Sequence, residues 1–299
     1  MKRQDLFEVA GLSRQAFQRW GQRRGVQQQC TPQDQVLNMA LEVRQNYLPG
    51  GSARQVYFFI RKKLPTFDSQ LLGWGKHRFE AFCLENGLRV EHRRFIPKTT
   101  IRGDFVFPNR IEGMEVSNIN QVWVSDITYL FASHGQLIGY ATTLIDVYSR
   151  HLLGLNFSQT MRAEETSLEV LRQAFQTRQK NDFNGLLFHS DGGKQYIQTE
   201  FIRALRNRNI QSSMAENCYQ NAFAEAFNDT LKNHLLHEIN INSFPQLKKQ
   251  QAFLQHCYNY NKPHTSLNQM NPIEYELNFL SLQPCQRTSV VIKKIEYKK

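Results

Sequence analysis

No apolar run in the 299-residue chain approaches the roughly 20 residues that a membrane-spanning helix needs. The N-terminus, MKRQDLFEVAGLSRQAFQRW, mixes polar and apolar residues and has no uninterrupted apolar stretch like that of a secretory leader. Both absences point to a cytoplasmic protein without a membrane partner. Cysteine is sparse. The five (Cys30, Cys83, Cys218, Cys257 and Cys285) are scattered, odd in number and never form Cys-x-x-Cys, which argues against a disulfide framework and a zinc module. Acidic residues are few in the first third. Residues 1–110 hold 19 of the 37 Lys+Arg but only 9 of the 26 Asp+Glu, so almost all of the net +11 sits there. A basic arm on a near-neutral body suggests a polyanion partner, nucleic acid before anionic lipid, and hence nucleoid association.

The basic third is helical in pattern. In residues 1–27, Gly11 separates DLFEVA from LSRQAFQRW. Ser13 can cap a second helix with Phe17 and Trp20 on one face and Arg14 and Arg19 elsewhere. This is the outline of a helix-turn-helix, and it makes Arg14 and Arg19 candidate DNA contacts; a basic helical hairpin of any other purpose has the same outline. A Gln-rich joint leads to a second helical region over residues 33–96, broken at Pro49-Gly50-Gly51, with Gly87 suited to a helix C-cap. Residues 97–119 read as linker and entry strand.

From Asn120 the texture changes. QVWVSDITYLFA, LIGYATTLIDVYS and HLLGLNFSQ are three β-like runs. A helix with Leu168, Leu171 and Phe175 on one face follows, then the strand NGLLFHS, a helix, the short strand IQSSM and a helix from about Asn221. The order β-β-β-α-β-α-β-α predicts an α/β domain, a mixed sheet flanked by helices, over residues 120–240. Residues 241–299 read as a C-terminal helix and tail, opened by the capping pattern Ser243-Phe244-Pro245-Gln246.

Three carboxylates stand out. Alternation along QVWVSDITYL puts Asp126 on the inward face with Val122 and Val124, where a lone carboxylate is costly unless paired or metal-bound. Asp191 ends its strand ahead of Gly192-Gly193; an ordinary turn reads the same way. In NAFAEAFNDTLK, Phe223, Phe227 and Leu231 form an i, i+4, i+8 stripe, and Asn221, Glu225 and Lys232 share another face; a solvated helix face is the plainer alternative. If the first and fourth strands are neighbours, Asp126 lies alongside Asp191 and the last helix can lean Glu225 over both. Three such charges repel unless divalent cations sit between them. Oxygen donors suit Mg²⁺ or Mn²⁺, and two ions about 4 Å apart suit phosphoryl transfer.

Residues 122–275 resemble the integrase core of insertion-sequence transposases, an RNase H-like fold with an Asp-Asp-Glu triad. The resemblance rests on VWVSDITYL, TTLIDVYSRHLLG, FHSDGGKQY, NAFAEAFNDTLK and YNYNKPHTSLNQMNPIEYE, in that order. It implies Asp126, Asp191 and Glu225 as catalytic metal ligands for two Mg²⁺ (or Mn²⁺) ions. It implies Lys232 as a contact to transposon-end DNA, with Asn221 beside it, and it makes His264 a DNA-contact or local structural residue. It further implies a transposase acting on double-stranded transposon ends and target DNA, at least dimeric when two ends are paired. A metal-dependent nuclease that never joins strands, and a non-catalytic DNA-binding regulator, are the alternatives. The chain departs from the pattern in one loop. Only 33 residues separate Asp191 from Glu225, slightly fewer than is usual, and Gln220 replaces a common Asp, leaving Glu216 and Asp229 as rival third carboxylates. Asp146 is expected to brace Arg150 or a turn, and His189 either to orient the site or to pack.

Overall fold

The computed structural model describes residues 31–64, 71–88 except 72, and 107–293 except 133–134, 217, 237–238 and 240. The expected unit at 1–27, with Arg14 and Arg19, lies outside the described residues, as do residues 97–106 of the expected linker. Among the described residues no helix is long and apolar enough to cross a membrane. The chain divides into two compact units, 1–94 with 230–240 and 260–271, and 95–229 with 241–259 and 272–299.

The first unit holds α1 (Pro32–Asn46), α2 (Ala53–Lys63) and α3 (Lys76–Glu85). Thr31 and Asp34 form a reciprocal capping box on α1, and Ser52 with Gln55 does the same on α2. The break between them turns on Gly50 at φ 62°, where an added Cβ would fall 1.6 Å from the carbonyl oxygen of His234. Only glycine meets both demands. Gly87, at φ 78°, follows α3, and Leu88 N–H returns to Cys83 O at 2.8 Å, closing the expected C-cap. Val36, Met39, Val43, Val56, Phe59, Ile60, Phe79 and Cys83 make the core. Residues 260–271 are tied into it. Asn261 Nδ2 donates to Tyr47 O at 2.8 Å and Gln55 Nε2 to Pro263 O at 3.4 Å. Lys262, between those anchors, is 7% exposed, and burial draws its amine down to about 8.

The second unit is built on five strands: β2 (Val122–Phe131), β3 (Leu137–Asp146), β4 (Leu152–Ser158), β5 (Leu187–Ser190) and β6 (Gln211–Met214). Their spatial order is β4-β3-β2-β5-β6, with antiparallel β2–β3–β4 and parallel β2–β5–β6. This is the mixed, RNase H-like sheet expected, with the first and fourth long strands adjacent. A separate two-stranded ribbon, β1 (Glu115–Val116) with β7 (Val290–Val291), ties the tail to the start of the unit.

Helices α4 (Ser167–Arg178) and α5 (Thr199–Arg206) pack on one face, around Trp123, Leu144, Leu153, Val170, Leu171, Phe188, Tyr196 and Phe201. Helix α6 (Ala222–Thr230) lies against β2 and runs into a π-turn at Leu231–Leu235. Its buried row is Ala224, Phe227, Asn228 and Leu231. Phe223, expected in that row, is instead partly exposed beneath the Arg150 guanidinium, 4.2 Å from its ring centroid. A cation–π partner serves it better there than a small-residue contact with the sheet.

Helix α7 (Phe244–His256) seals the outer edge of β4. Gln251 Oε1 accepts from Phe157 N, Asn259 Oδ1 from Leu152 N, and Lys248 Nζ donates to Phe157 O. Gln173 of α4 takes Leu155 N. The expected Ser243 cap of α7 does not form; Gln246 Oε1 instead accepts from Asn242 N–H at 3.0 Å. Helix α8 (Pro272–Ser281) is held to the sheet by a buried ionic network. Arg178 spans both Glu276 oxygens at 2.7 Å and Asp146 at 3.2 Å, and His151 Nδ1 meets Glu276 at 3.0 Å. Asp146 also accepts from Asn120, Tyr148 and Ser149 N–H groups. It braces the turn, as expected, but its cation is Arg178 rather than Arg150.

Candidate active site

The ladder between β2 and β5 ends at Val124 opposite His189. Two residues beyond that pair stand Asp126, within β2, and Asp191, just past the end of β5, where continued alternation would put both carboxylates on the same side. This is also the side α6 covers. Asn228 Nδ2 donates to Asp126 Oδ2 at 2.6 Å, and Asn221 Nδ2 donates to the Ser125 carbonyl at 3.0 Å. Asn221 and Asn228 are seven residues apart, two helical turns, and form one line of contact with β2. Ala224 and Glu225 lie on either side of that line. Ala224 is buried and lets the helix approach; Glu225 is on the exposed flank.

Asp191 is fixed by its own loop, its Oδ1 accepting from Gly193 N–H at 3.1 Å. Burial raises its carboxyl above the ordinary range, against the opposing pull of that hydrogen bond. Burial likewise raises the Glu225 carboxyl. Its side chain is nonetheless open to solvent, so the shielding comes from the protein on one side only. Both aspartates act on one group, the Tyr196 hydroxyl. Burial first, then the charges of Asp191 and Asp126, hold that hydroxyl well above its usual range. The register thus sets Asp126 and Asp191 at matching positions beyond the same ladder. Among the described residues, no group of three or more His, Cys, Asp and Glu side chains is gathered closely enough to hold a metal ion. Glu225 is on the exposed flank of α6 and completes no three-acid cluster among the described residues.

The donors around Asp126 are nonetheless those a hard cation uses. The side-chain oxygens of Asn221 and Asn228 are buried with no hydrogen-bond partner, which leaves unanswered acceptors beside the carboxylates. His189 is fully buried, its Nδ1 is 2.9 Å from Ser213 Oγ, and burial lowers it to about 4. It packs rather than orients. Glu216 is exposed in the loop and Asp229 is exposed on α6. Asn228, Tyr196 and Ser125 were not foreseen. Asn228 could have been found from its position seven residues after Asn221; nothing in the sequence marks Tyr196.

Of the other expected contacts, Lys232 is half-buried in the π-turn. His264 fixes local backbone, its N–H donating to Met270 O at 3.0 Å and its carbonyl accepting from Leu267 and Gln269. Helix α2 ends in three exposed cations, Arg61, Lys62 and Lys63.

Two family profiles match, both described as integrase core domain, over residues 117–218 and 208–272. Residues 117–272 are an integrase core domain. The chain is 30% identical over 162 residues to the transposase for insertion sequence element IS904 of Lactococcus lactis, covering 52% of this chain and 61% of that protein. It is 34% identical over 156 residues to transposase InsF for insertion sequence IS3fB of Escherichia coli, covering 50% of this chain and 52% of that protein. The match thus spans little more than half of these transposases. A 31 kDa protein of insertion element IS600 from Shigella sonnei is 26% identical over 90% of this chain and 97% of its own length. Among solved structures, the HTLV-2 integrase catalytic core domain in complex with magnesium aligns at TM-score 0.40 and 14% identity, over 57% of this chain and 97% of that one. The second profile runs through 230–240 and 260–271 to residue 272, so it draws on both units.

Proposed function

We propose that the protein is a DNA transposase of the Asp-Asp-Glu class. It would bind the inverted-repeat ends of its element through the basic N-terminal third and use the integrase core to cut and join strands. The observation that carries this reading is the parallel β2–β5 ladder, which ends at Val124 opposite His189, two residues before Asp126 and Asp191, with Asn228 of α6 donating to Asp126. These three carboxylates would hold Mg²⁺ or Mn²⁺. When bound, the cations supply an activated attacking oxygen and a stabilised leaving oxygen. The chain's own part is to fix the acids: Asn228 orients Asp126, Gly193 orients Asp191, and the buried α6 row holds Glu225 at their flank. Water and then a freed 3′-OH are the expected successive nucleophiles. Lys232, Asn221, Arg61, Lys62 and Lys63 are proposed DNA contacts, as are Arg14, Arg19 and His264. Pairing two ends implies at least a dimer on DNA, in the cytoplasm.

One finding favours a second reading. Because no three-acid cluster is closed among the described residues, a regulator that binds ends without cutting them has some support. A single assay separates the readings. Pre-cut end duplexes are incubated with the full chain and a plasmid target, in Mg²⁺ or EDTA. Joined products that need Mg²⁺ and vanish in Asp191→Asn support the transposase. Nicking without joining means a nuclease, and end binding with neither means a regulator.

A further inference from the structure

The β2–β5 ladder stops one residue short of Ser125 and two short of the acids, so sheet hydrogen bonds do not fix Asp126 against Asp191. Another bond begins where the ladder ends. Ser125 Oγ lies 2.9 Å from the Tyr196 hydroxyl and donates its own proton to Thr143 O at 2.6 Å. With that proton committed, the Tyr196 O–H is the donor and Ser125 Oγ the acceptor. Ser125 immediately precedes Asp126, and Tyr196 closes the loop that begins at Asp191. The contact therefore completes a ring from one acid to the other: Asp126, Ser125, Tyr196 and back along the loop to Asp191.

The ring is braced on all sides. Asn221 takes the Ser125 carbonyl, Ser167 Oγ donates to Gln195 O at 2.9 Å, and the Tyr196 ring packs against Phe188 and Phe201. The Ser125 side chain lies on the face of the sheet opposite the carboxylates, so the bond works from behind and leaves their open side free. The ring's aromatic contacts need only the phenyl group. Packing alone gives no reason for a buried hydroxyl, whose desolvation must be offset by its one bond.

We infer that Tyr196 is a positioning residue that sets the spacing of Asp126 and Asp191 through its hydrogen bond to Ser125. This rests on the metal-binding reading of the same site. Outer partners that orient metal ligands typically change metal affinity about 10–100-fold when removed. The test uses the full chain, with Mn²⁺ alone as the binding probe by calorimetry. Thermal unfolding and Mn²⁺-dependent nicking of supercoiled plasmid are measured in parallel. Tyr196→Phe keeps the ring and should stay folded, bind Mn²⁺ about tenfold more weakly, and recover near-wild-type nicking at saturating Mn²⁺. Ser125→Ala should do the same, and the double variant should be no worse than either single one. Wild-type affinity in Tyr196→Phe, or independent additive losses, overturns the inference while leaving the metal reading intact. A wild-type chain that binds no Mn²⁺ overturns both.

Discussion

On the proposed transposase reading, Asp191 carries opposite demands on stability and function. Burial raises its carboxyl above the ordinary range, so the charged form is a liability to the folded state at neutral pH. Asp191→Asn should therefore raise Tm at pH 7 while lowering strand cleavage by about a thousandfold or more, roughly 4 kcal/mol of transition-state stabilisation. Thermal unfolding beside a cleavage assay checks both, and a variant less stable than wild type contradicts the account. Lys262 gives a second test. Its amine is lowered to about 8 by burial, so the unfolded chain binds the extra proton more readily. The cost is fully present below pH 8 and disappears as pH rises through the unfolded value near 10.4. Lys262→Met should stabilise the protein by about 1–3 kcal/mol at pH 7, less at pH 9, and not at all near pH 11. Denaturant titrations at those three pH values read the difference.

At the scale of elements, what the sequence disclosed followed the periodicity. The two-residue alternation in VWVSD put Asp126 on one face with Val122 and Val124, and the order of strands and helices placed β2 and β5 side by side. The α6 face was harder. Its Phe223-Phe227-Leu231 stripe is a good helical pattern, yet Ala224 and Asn228 are the residues that meet the sheet, because a polar contact at Asp126 pulls the helix round. Long-range polar partners leave no local period, which is also why Tyr196 and the Arg178–Glu276 pair were illegible. Gly50 is a local feature with a non-local cause. Gly50→Ala should destabilise the chain by more than about 1 kcal/mol, through both the left-handed backbone and the His234 carbonyl. An unchanged denaturation midpoint would contradict that close approach.

At the scale of the whole molecule, the ionic network that docks α8 makes stability depend on pH. Burial alone would raise the Glu276 carboxyl, but its bonds to His151 and Arg178 outweigh burial and hold it at about 2. Its contribution is complete above the ordinary glutamate value and is lost as pH falls toward 2, about 3 kcal/mol at most. Asp146, which burial raises, works in the opposite sense, so the net loss is smaller. Arg178 explains the split, since it grips Glu276 with two nitrogens and Asp146 with one. Wild-type Tm should fall between pH 5 and pH 3, and Glu276→Gln should be less stable at pH 7 yet nearly flat over that interval. A parallel fall in the variant would assign the acid sensitivity elsewhere.

The side chains of Lys248, Gln251 and Asn259 stand in for a sixth strand along Leu152–Ser158. At the far border of the sheet, Pro108 and Arg110 meet Met214 and Ser213 in the same way. Both borders thus have some of their edge groups taken by the chain's own atoms rather than left to a neighbour's backbone. A chain cut short before Ser243 would bare the Leu152–Ser158 border and be more prone to strand pairing between copies.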